Sequence, residues 1–250
     1  MLACFTERRP ELGISEIADE IGLSKSTVHR YAITLVSLGY LEQLSSSHKY
    51  RLGLRVIDLG MSAMNSTGLR EHARPSLERL RQDTGYTVSM GVLDGTDILY
   101  LDRLPSRRRE QARIDLDLRP GSRLPAYCTS MGQVLLAYLP EDERNQRIDD
   151  MGELVSHAQK TIVSKRTLHQ ELTQIRETEL AINDEEHGPE LLSIAAPIHD
   201  NNQNVVAAIN IAANTSTISR DNFVDTFGSQ LRSTAHLISA RIGFRHEGTT

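Results

Sequence analysis

The sequence predicts an α+β chain in two parts. A small helical domain with a two-stranded hairpin is joined by a connector helix to a larger domain on an antiparallel sheet. Three observations predict it. Through the first forty residues apolar side chains recur at helical spacing, punctuated by glycines. Two short strand candidates, YLEQ and KYRLG, then flank the polar run LSSSH. From about residue 85 the period changes to alternation with turn signals, and strands flanked by helices in this order make an α+β domain.

In the first part, Ile14, Ile17, Ala18 and Ile21 mark a helix. Ser15 is its expected N-cap, with Glu16, Asp19 and Glu20 favouring its early turns. Gly22 breaks it. Ser24 then caps a second helix whose apolar stripe is Val28, Ala32, Leu35 and Leu38, and Gly39 closes that helix. After the hairpin, RVIDLGMSAMNSTG reads as a connector helix. Leu69 to Thr84 continues helically, with Pro75 expected to force a kink or a restart and Leu77 and Leu80 facing inward.

In the second part, YTVSMGVLDGTDILYLDRL alternates and is expected to turn at Asp94-Gly95. QARIDLDLRPG alternates again and stops at Pro120-Gly121. TSMGQVLLAYLP is helical, and Thr167 to Leu180 is an amphipathic helix on Leu168, Leu172 and Ile175. ELLSIAAPIHD and NVVAAINIAA are strands around Asn201-Asn202. Ser219 to Phe244 closes the chain as a long helix with Phe223, Phe227, Leu231, Ala235 and Ile238 inward.

Composition bounds the function. The chain has 250 residues, 39% hydrophobic and 24% charged, with a net charge of −5, so any positive surface must be local. No apolar run approaches the roughly 18 residues that span a bilayer, and MLACF is too short for a secretory signal, so no membrane partner is expected. Cys4 and Cys128 make no disulfide framework, which points to a reducing, cytoplasmic location. His157, His187 and His199 show no metal spacing, and neither a metal nor a cofactor is expected.

The second helix poses the functional question. Its first turns carry Ser24, Lys25, Ser26, Thr27, His29 and Arg30, a density of donors that a core helix does not need. A preceding helix, a tight turn at Gly22-Leu23 and this helix make a helix-turn-helix, in which the start of the second helix meets base edges in a DNA major groove. Short hydroxyls suit phosphates, and Arg30 suits guanine or phosphate. The hairpin adds His48, Lys49 and Arg51, placed as a wing along the backbone. The first sixty residues carry seven basic and seven acidic residues, so the acidity lies in the rest of the chain. The competing reading is a solvated polar face or a protein-contact helix.

These words form a wider pattern. GLSKSTVHRYAITLVSLGYLEQ resembles the N-terminal winged helix of IclR-family bacterial transcriptional regulators, and YRLGLRVIDLG resembles the wing end and linker start. GSRLPAYCTSMGQVLLAYLP and AINDEEHGPELLSIAAPIHDNNQNVVAAINIAA resemble the effector domain. RLPAYCTSMGQVLLA looks most like regulators of protocatechuate and 4-hydroxybenzoate catabolism, the β-ketoadipate pathway group. The resemblance implies a winged helix-turn-helix over 1–53, a linker helix over 54–70 and a GAF-like effector domain over 71–247. Family members usually begin earlier, so Leu2 to Phe5 is expected to be the end of a truncated first helix. The implied partners are double-stranded operator DNA and a small organic acid, an aromatic acid or a β-ketoadipate pathway metabolite. A homodimer is expected from the apolar connector residues Val56, Ile57, Leu59, Met61 and Met64, and the family suggests dimers pairing into tetramers.

For the acid, the residues offer a helix start near Thr129. Backbone N–H groups of Ser130, Met131 and Gly132 would favour a carboxylate there. Arg123 could add a bidentate bond or merely form a surface ion pair. The resemblance adds Leu116, Leu124, Ser130, Met131, Asn183 or Asp184, Ser193 and Asn210 as pocket wall. Many family members have Cys at the position of Ser193 and Ser at that of Asn210. An amide at 210 needs a partner if buried, either a ligand hydroxyl or the protein itself. Cys128 reads as a buried thiol, since no His is near in sequence, and Asp184-Glu185-Glu186 reads as a solvated acidic loop. An enzyme or an interaction module built on the α+β domain is the alternative; no nucleophile, base and oxyanion set is visible, and no activity is expected.

Overall fold

The computed structural model describes residues 1–6, 8–65, 68–107 and 118–243. The chain divides into two compact units, Met1–Thr67 and Gly68–Thr250.

The first unit packs around Phe5, Leu12, Ile17, Ala18, Val28, Ala32, Leu41 and Tyr50. Leu2–Cys4 is a single 3-10 turn. Helix α1 spans Ile14–Ile21. Its N-cap is Gly13 and not Ser15, because Gly13 is the last extended residue; its N–H donates to Glu16 Oε2 at 2.8 Å. Gly22 ends α1 in the left-handed region, at φ 67°. Helix α2 spans Lys25–Ser37 and is capped by Ser24, whose hydroxyl accepts from the Thr27 N–H at 3.3 Å. Gly39, at φ 76°, donates to Val36 O (2.9 Å), and Tyr40 N–H to Leu35 O (2.8 Å). These two bonds form a Schellman closure. Val28 and Ala32 are buried and Leu35 is half-buried, but Leu38 is 45% exposed. Leu38 is the C-cap residue, beyond the last turn that packs inward, and its carbonyl accepts from Arg55 (3.0 Å). Strands β1 (Leu41–Gln43) and β2 (Tyr50–Leu52) pair antiparallel. Helix α3 (Arg55–Asn65) leaves Ile57, Leu59 and Met61 exposed and Val56 half-buried; the Met64 side chain lies outside the described residues.

The second unit is a six-stranded antiparallel sheet between two pairs of helices. Its strands are β3 (Thr87–Asp94), β4 (Asp97–Leu104), β5 (Arg123–Pro125), β6 (Ala181–Asp184), β7 (Leu191–His199) and β8 (Val205–Asn214). They lie in the order β5-β4-β3-β8-β7-β6. Alternation sorts the faces. Val88, Met90, Ile194, Ala196, Ile209 and Ile211 point to α4 (Leu69–Thr84) and α8 (Arg220–Arg241), meeting Leu77, Leu80, Phe223 and Leu231. Ala181, Ala195 and Ala208 point to α5 (Ser130–Tyr138) and α7 (Lys165–Thr178), meeting Val134, Leu136, Leu168 and Leu172.

Some local expectations change. Asp94 pairs with Asp97, so the turn is Gly95-Thr96, with Gly95 at φ 64°, and Asp94 is the last ladder residue. Helix α4 runs through Pro75 without a second start, because burial of Ala73, Leu77 and Leu80 on both sides of it outweighs the lost backbone bond. Helix α6 (Glu141–Asp150) escaped the sequence reading, since Ile148 alone among its residues is buried and no stripe shows. The strand expected in QARIDLDLRPG falls largely outside the described residues.

One feature of β4 positions the site. The register passes from Met90↔Asp102 to Gly91↔Tyr100, a bulge at Leu101. The extra residue resets the alternation, so Tyr100 and Arg103 both face the α5 side. Asp102, 1% exposed, turns to α4, where Arg74 Nη1 reaches both carboxylate oxygens at 2.8 Å. No described helix is long and apolar enough to cross a membrane.

Candidate functional site

In the first unit, α2 presents Ser24, Lys25, Ser26, His29 and Arg30 exposed, and Thr27 half-buried. The Ser24 hydroxyl is engaged by Ser26 Oγ (3.0 Å) and Thr27 Oγ1 (2.9 Å), so this cluster orders the helix start as well as facing outward. Ile33 is also exposed and follows Ser26 and Arg30 by seven and three residues, on one stripe. It is not among the residues expected above to face DNA. In the hairpin, Lys49 pairs with Glu16 (3.3 Å) and Arg51 with Glu42 (2.7 Å), which reduces the charge the wing presents. His48 is exposed at φ 54°.

In the second unit, a cavity lies on the α5 side of the sheet. Two cross-strand rows make its floor. Arg103, Ser89, Asn210 and Ala195 are register partners across β4, β3, β8 and β7. Thr87, Ala212, Ser193 and Asn183 are partners across β3, β8, β7 and β6. Of these eight, all but Ala195 line the cavity, together with Tyr100, Leu118, Leu124, Cys128, Thr129, Ser130, Met131, His187 and Leu191.

The start of α5 stands over the second row. Thr129 caps it, accepting from the Gly132 N–H at 3.3 Å, and the Ser130 and Ser193 hydroxyls meet at 2.8 Å. Of the three N–H groups expected to face an anion, that of Gly132 is therefore taken. Gly132 is outside the lining, and its role is close approach: a Cβ there would sit 2.3 Å from the Ala126 carbonyl oxygen.

Several sequence-derived residues lie elsewhere. Arg123 on β5 forms a surface ion pair with Asp94 and does not line the cavity, which is the alternative the sequence had left open. Asp184 turns away to Lys160 (2.9 Å), because on β6 it follows Asn183 and alternation sends it to the other face. Leu116 is outside the described residues. Leu124, Ser130, Met131, Asn183, Ser193 and Asn210 are brought together at the cavity. Thr87 and Ser89 could have been found from the alternation of β3; Arg103 could not, because the bulge shifts its phase.

The acidic loop is not solvated throughout. Glu186 is 8% exposed and accepts from Gln133 Nε2 at 2.7 Å. Burial pushes its carboxyl up to about 7, with repulsion from Glu171 and Asp184 adding. Asn183 holds the loop, donating to Cys128 O (2.6 Å) and accepting from the Glu186 N–H (3.3 Å). The same loop brings His187 Nδ1 to 3.5 Å from Cys128 Sγ, a neighbour the linear sequence hides. Burial pushes that thiol up to about 12, and His187 is held below its usual value by burial and by His157. A neutral thiol beside a neutral imidazole is not an activated nucleophile.

A helix-turn-helix unit followed by an α+β unit with this cavity is a specific combination. The family described as bacterial transcriptional regulator IclR C-terminal matches residues 61–240, and the IclR helix-turn-helix domain matches residues 1–45. The chain belongs to the IclR family. This IclR-type regulator is 31% identical over 244 residues to the HTH-type transcriptional regulator XynR of Escherichia coli, covering 98% of this chain and 94% of that protein. It is 32% identical over 227 residues to the Pca regulon regulatory protein of Pseudomonas putida, covering 91% and 76%. Among solved structures, an IclR homolog complexed with 4-hydroxybenzoate from Microbacterium hydrocarbonoxydans superposes with a TM-score of 0.79 at 25% identity, covering 96% of this chain and 95% of that one. The relatives are named as transcriptional regulators and not as enzymes. For an IclR-type regulator the first unit implies DNA binding and the second implies binding of a small molecule.

Proposed function

We propose that this IclR-type regulator reads operator DNA with Ser24, Lys25, Ser26, Thr27, His29 and Arg30 of α2 and lays His48, Lys49 and Arg51 along the backbone. Its effector is a small aromatic acid or a related β-ketoadipate pathway metabolite, held over the two polar rows beneath α5. The observation that carries the effector reading is the cavity itself. A helix start, Ser130 and Ser193 offer a carboxylate site at one end, Arg103 adds positive charge, and Tyr100, Leu118, Leu124 and Met131 supply apolar wall for a ring. The named relatives that handle the Pca regulon and 4-hydroxybenzoate support the same class. Functionally the chain divides into a winged helix at 1–53, a linker at 54–70 and an effector domain at 71–247, acting in the cytoplasm.

The DNA reading is tested with duplexes selected from a random pool. Arg30→Ala is expected to weaken binding by about 1–3 kcal/mol if Arg30 meets a base, or to lower the salt slope by about one if it meets phosphate. Unchanged affinity and slope would return Arg30 to a solvated face. Ligand binding to the folded chain is read by thermal shift, which must rise with effector concentration.

The regulator works as a homodimer at least, with two winged helices on a pseudo-palindromic site, and dimers pair into tetramers through the effector domains. The exposed Ile57, Leu59 and Met61 of α3 support this reading. Sedimentation at micromolar concentration is expected to give a dimer or larger, and a monomer would sink it.

A further inference from the structure

We infer that Ile33 reads a thymine of the operator by packing on its methyl group in the major groove; this rests on the DNA reading of α2. A lone exposed isoleucine on an arbitrary surface carries no information. Ile33 is 55% exposed, and its place on the helix is what matters. Val28, Ala32 and Leu35 turn α2 onto the core of the first unit. At about 100° per residue, Ile33 falls on the other side of the helix, about 20° from Ser26 and about 60° from Arg30. Tyr31, 48% exposed, stands about 160° from Ile33 and is off this stripe.

The charge around Ile33 selects what covers it. Helix α2 carries Lys25, His29 and Arg30 and no acidic residue. Among the described residues neither Lys25 nor Arg30 has an ion-pair partner, whereas Arg9, Lys49 and Arg51 each pair with a glutamate. An apolar protein surface seated on Ile33 would strip water from those cations and return nothing. A polyanion that also presents an apolar group satisfies both. In the major groove the thymine methyl is that group, and an aliphatic side chain is what meets it. The helical rise sets the position. Ile33 stands three residues beyond Arg30, about 4.5 Å along the axis, against about 3.4 Å per base step. The thymine therefore lies one or two base pairs from the pair that Arg30 meets. Ile33 is a specificity-determining contact that adds no charge and no hydrogen bond.

The test starts from a duplex that the full chain selects out of a random pool. Each thymine of that duplex is replaced in turn by deoxyuridine, which removes the methyl and keeps the base pairing. Uracil at one such position is expected to weaken binding about three- to tenfold. Ile33→Ala should bind the thymine and uracil duplexes equally, at the parent's affinity for uracil. Its salt slope should match the parent's, because no phosphate contact is lost. Ile33→Val, a smaller aliphatic, should keep part of the preference. A flat uracil scan of the parent overturns the inference without any variant, while the DNA reading stands. A thymine preference that survives in Ile33→Ala also overturns it, since another residue then meets the methyl. A flat scan with a smaller sedimenting species for Ile33→Ala makes Ile33 a contact between copies of this chain, which overturns it too. Enrichment of no duplex from the pool overturns this inference and the DNA reading together.

Discussion

Gly132→Ala is expected to destabilise the second unit by about 3 kcal/mol, at the upper end of over-packing effects. The new Cβ would lie 2.3 Å from Ala126 O, 2.4 Å from Ala126 Cα and 2.7 Å from Ala126 C. All three are backbone atoms, so no side chain can swing aside. Either the 3-10 turn Ala126–Cys128 moves or α5 does. Moving either one breaks the Thr129 cap on Gly132 and shifts Cys128 and Ser130 in the cavity wall. Effector binding should fall with stability. Gly228→Ala on α8 is the control: its Cβ would meet side-chain atoms alone, Leu180 Cδ2 at 3.4 Å and Val224 Cγ1 at 3.9 Å, and alanine favours a helix. Thermal unfolding of both variants checks this, and a Gly132→Ala variant within about 1 kcal/mol of the parent would show that the turn yields freely.

Glu186→Gln is expected to stabilise the protein above pH 7 by roughly 3 kcal/mol and to change little near pH 4. The carboxyl rises from 4.5 to about 7 on burial. Between those values the folded chain keeps a proton that the unfolded chain has lost. Stability therefore falls as pH rises through this window, and the full penalty is present above it. Glutamine stays neutral and can still accept from Gln133 through its amide oxygen, so the Glu186 share of the pH dependence should vanish while the hydrogen bond remains. Urea unfolding at pH 5 and pH 8, parent against variant, isolates this group from Glu171, Asp184 and His187, which are common to both. Parallel curves would show that Glu186 reaches solvent readily.

The two expectations sit on residues of opposite legibility. Gly132 was read as one of the backbone N–H donors to an anion; the structure gives that N–H to Thr129 and assigns the lack of a Cβ to backbone packing. Glu186 was read as part of a solvated run because its neighbours Asp184 and Glu185 are acidic. Those two do reach Lys160, at 2.9 and 3.1 Å, while Glu186 turns inward to Gln133. Charge repeated along a chain says nothing about which member a loop will bury.

What the sequence determined by itself was local and periodic. The Ser24 cap, the burial of Val28 and Ala32, the Schellman closure at Gly39 and the alternation of β3, β7 and β8 all depend on neighbours within a few residues, where the periods of helix and strand operate. The word-level resemblance carried the family and placed Ser130, Asn183, Ser193 and Asn210 near one another. The tertiary structure alone decided which side chains share the cavity. Its floor joins strands that are distant in sequence, and the bulge at Leu101 chooses Arg103 over Asp102 for the cavity face. Cys128 and His187 meet across the loop that Asn183 ties to the Cys128 carbonyl and Gln133 and Thr161 tie at Glu186. Register, bulges and burial are set by partners across the sheet, and no window along the chain contains those partners.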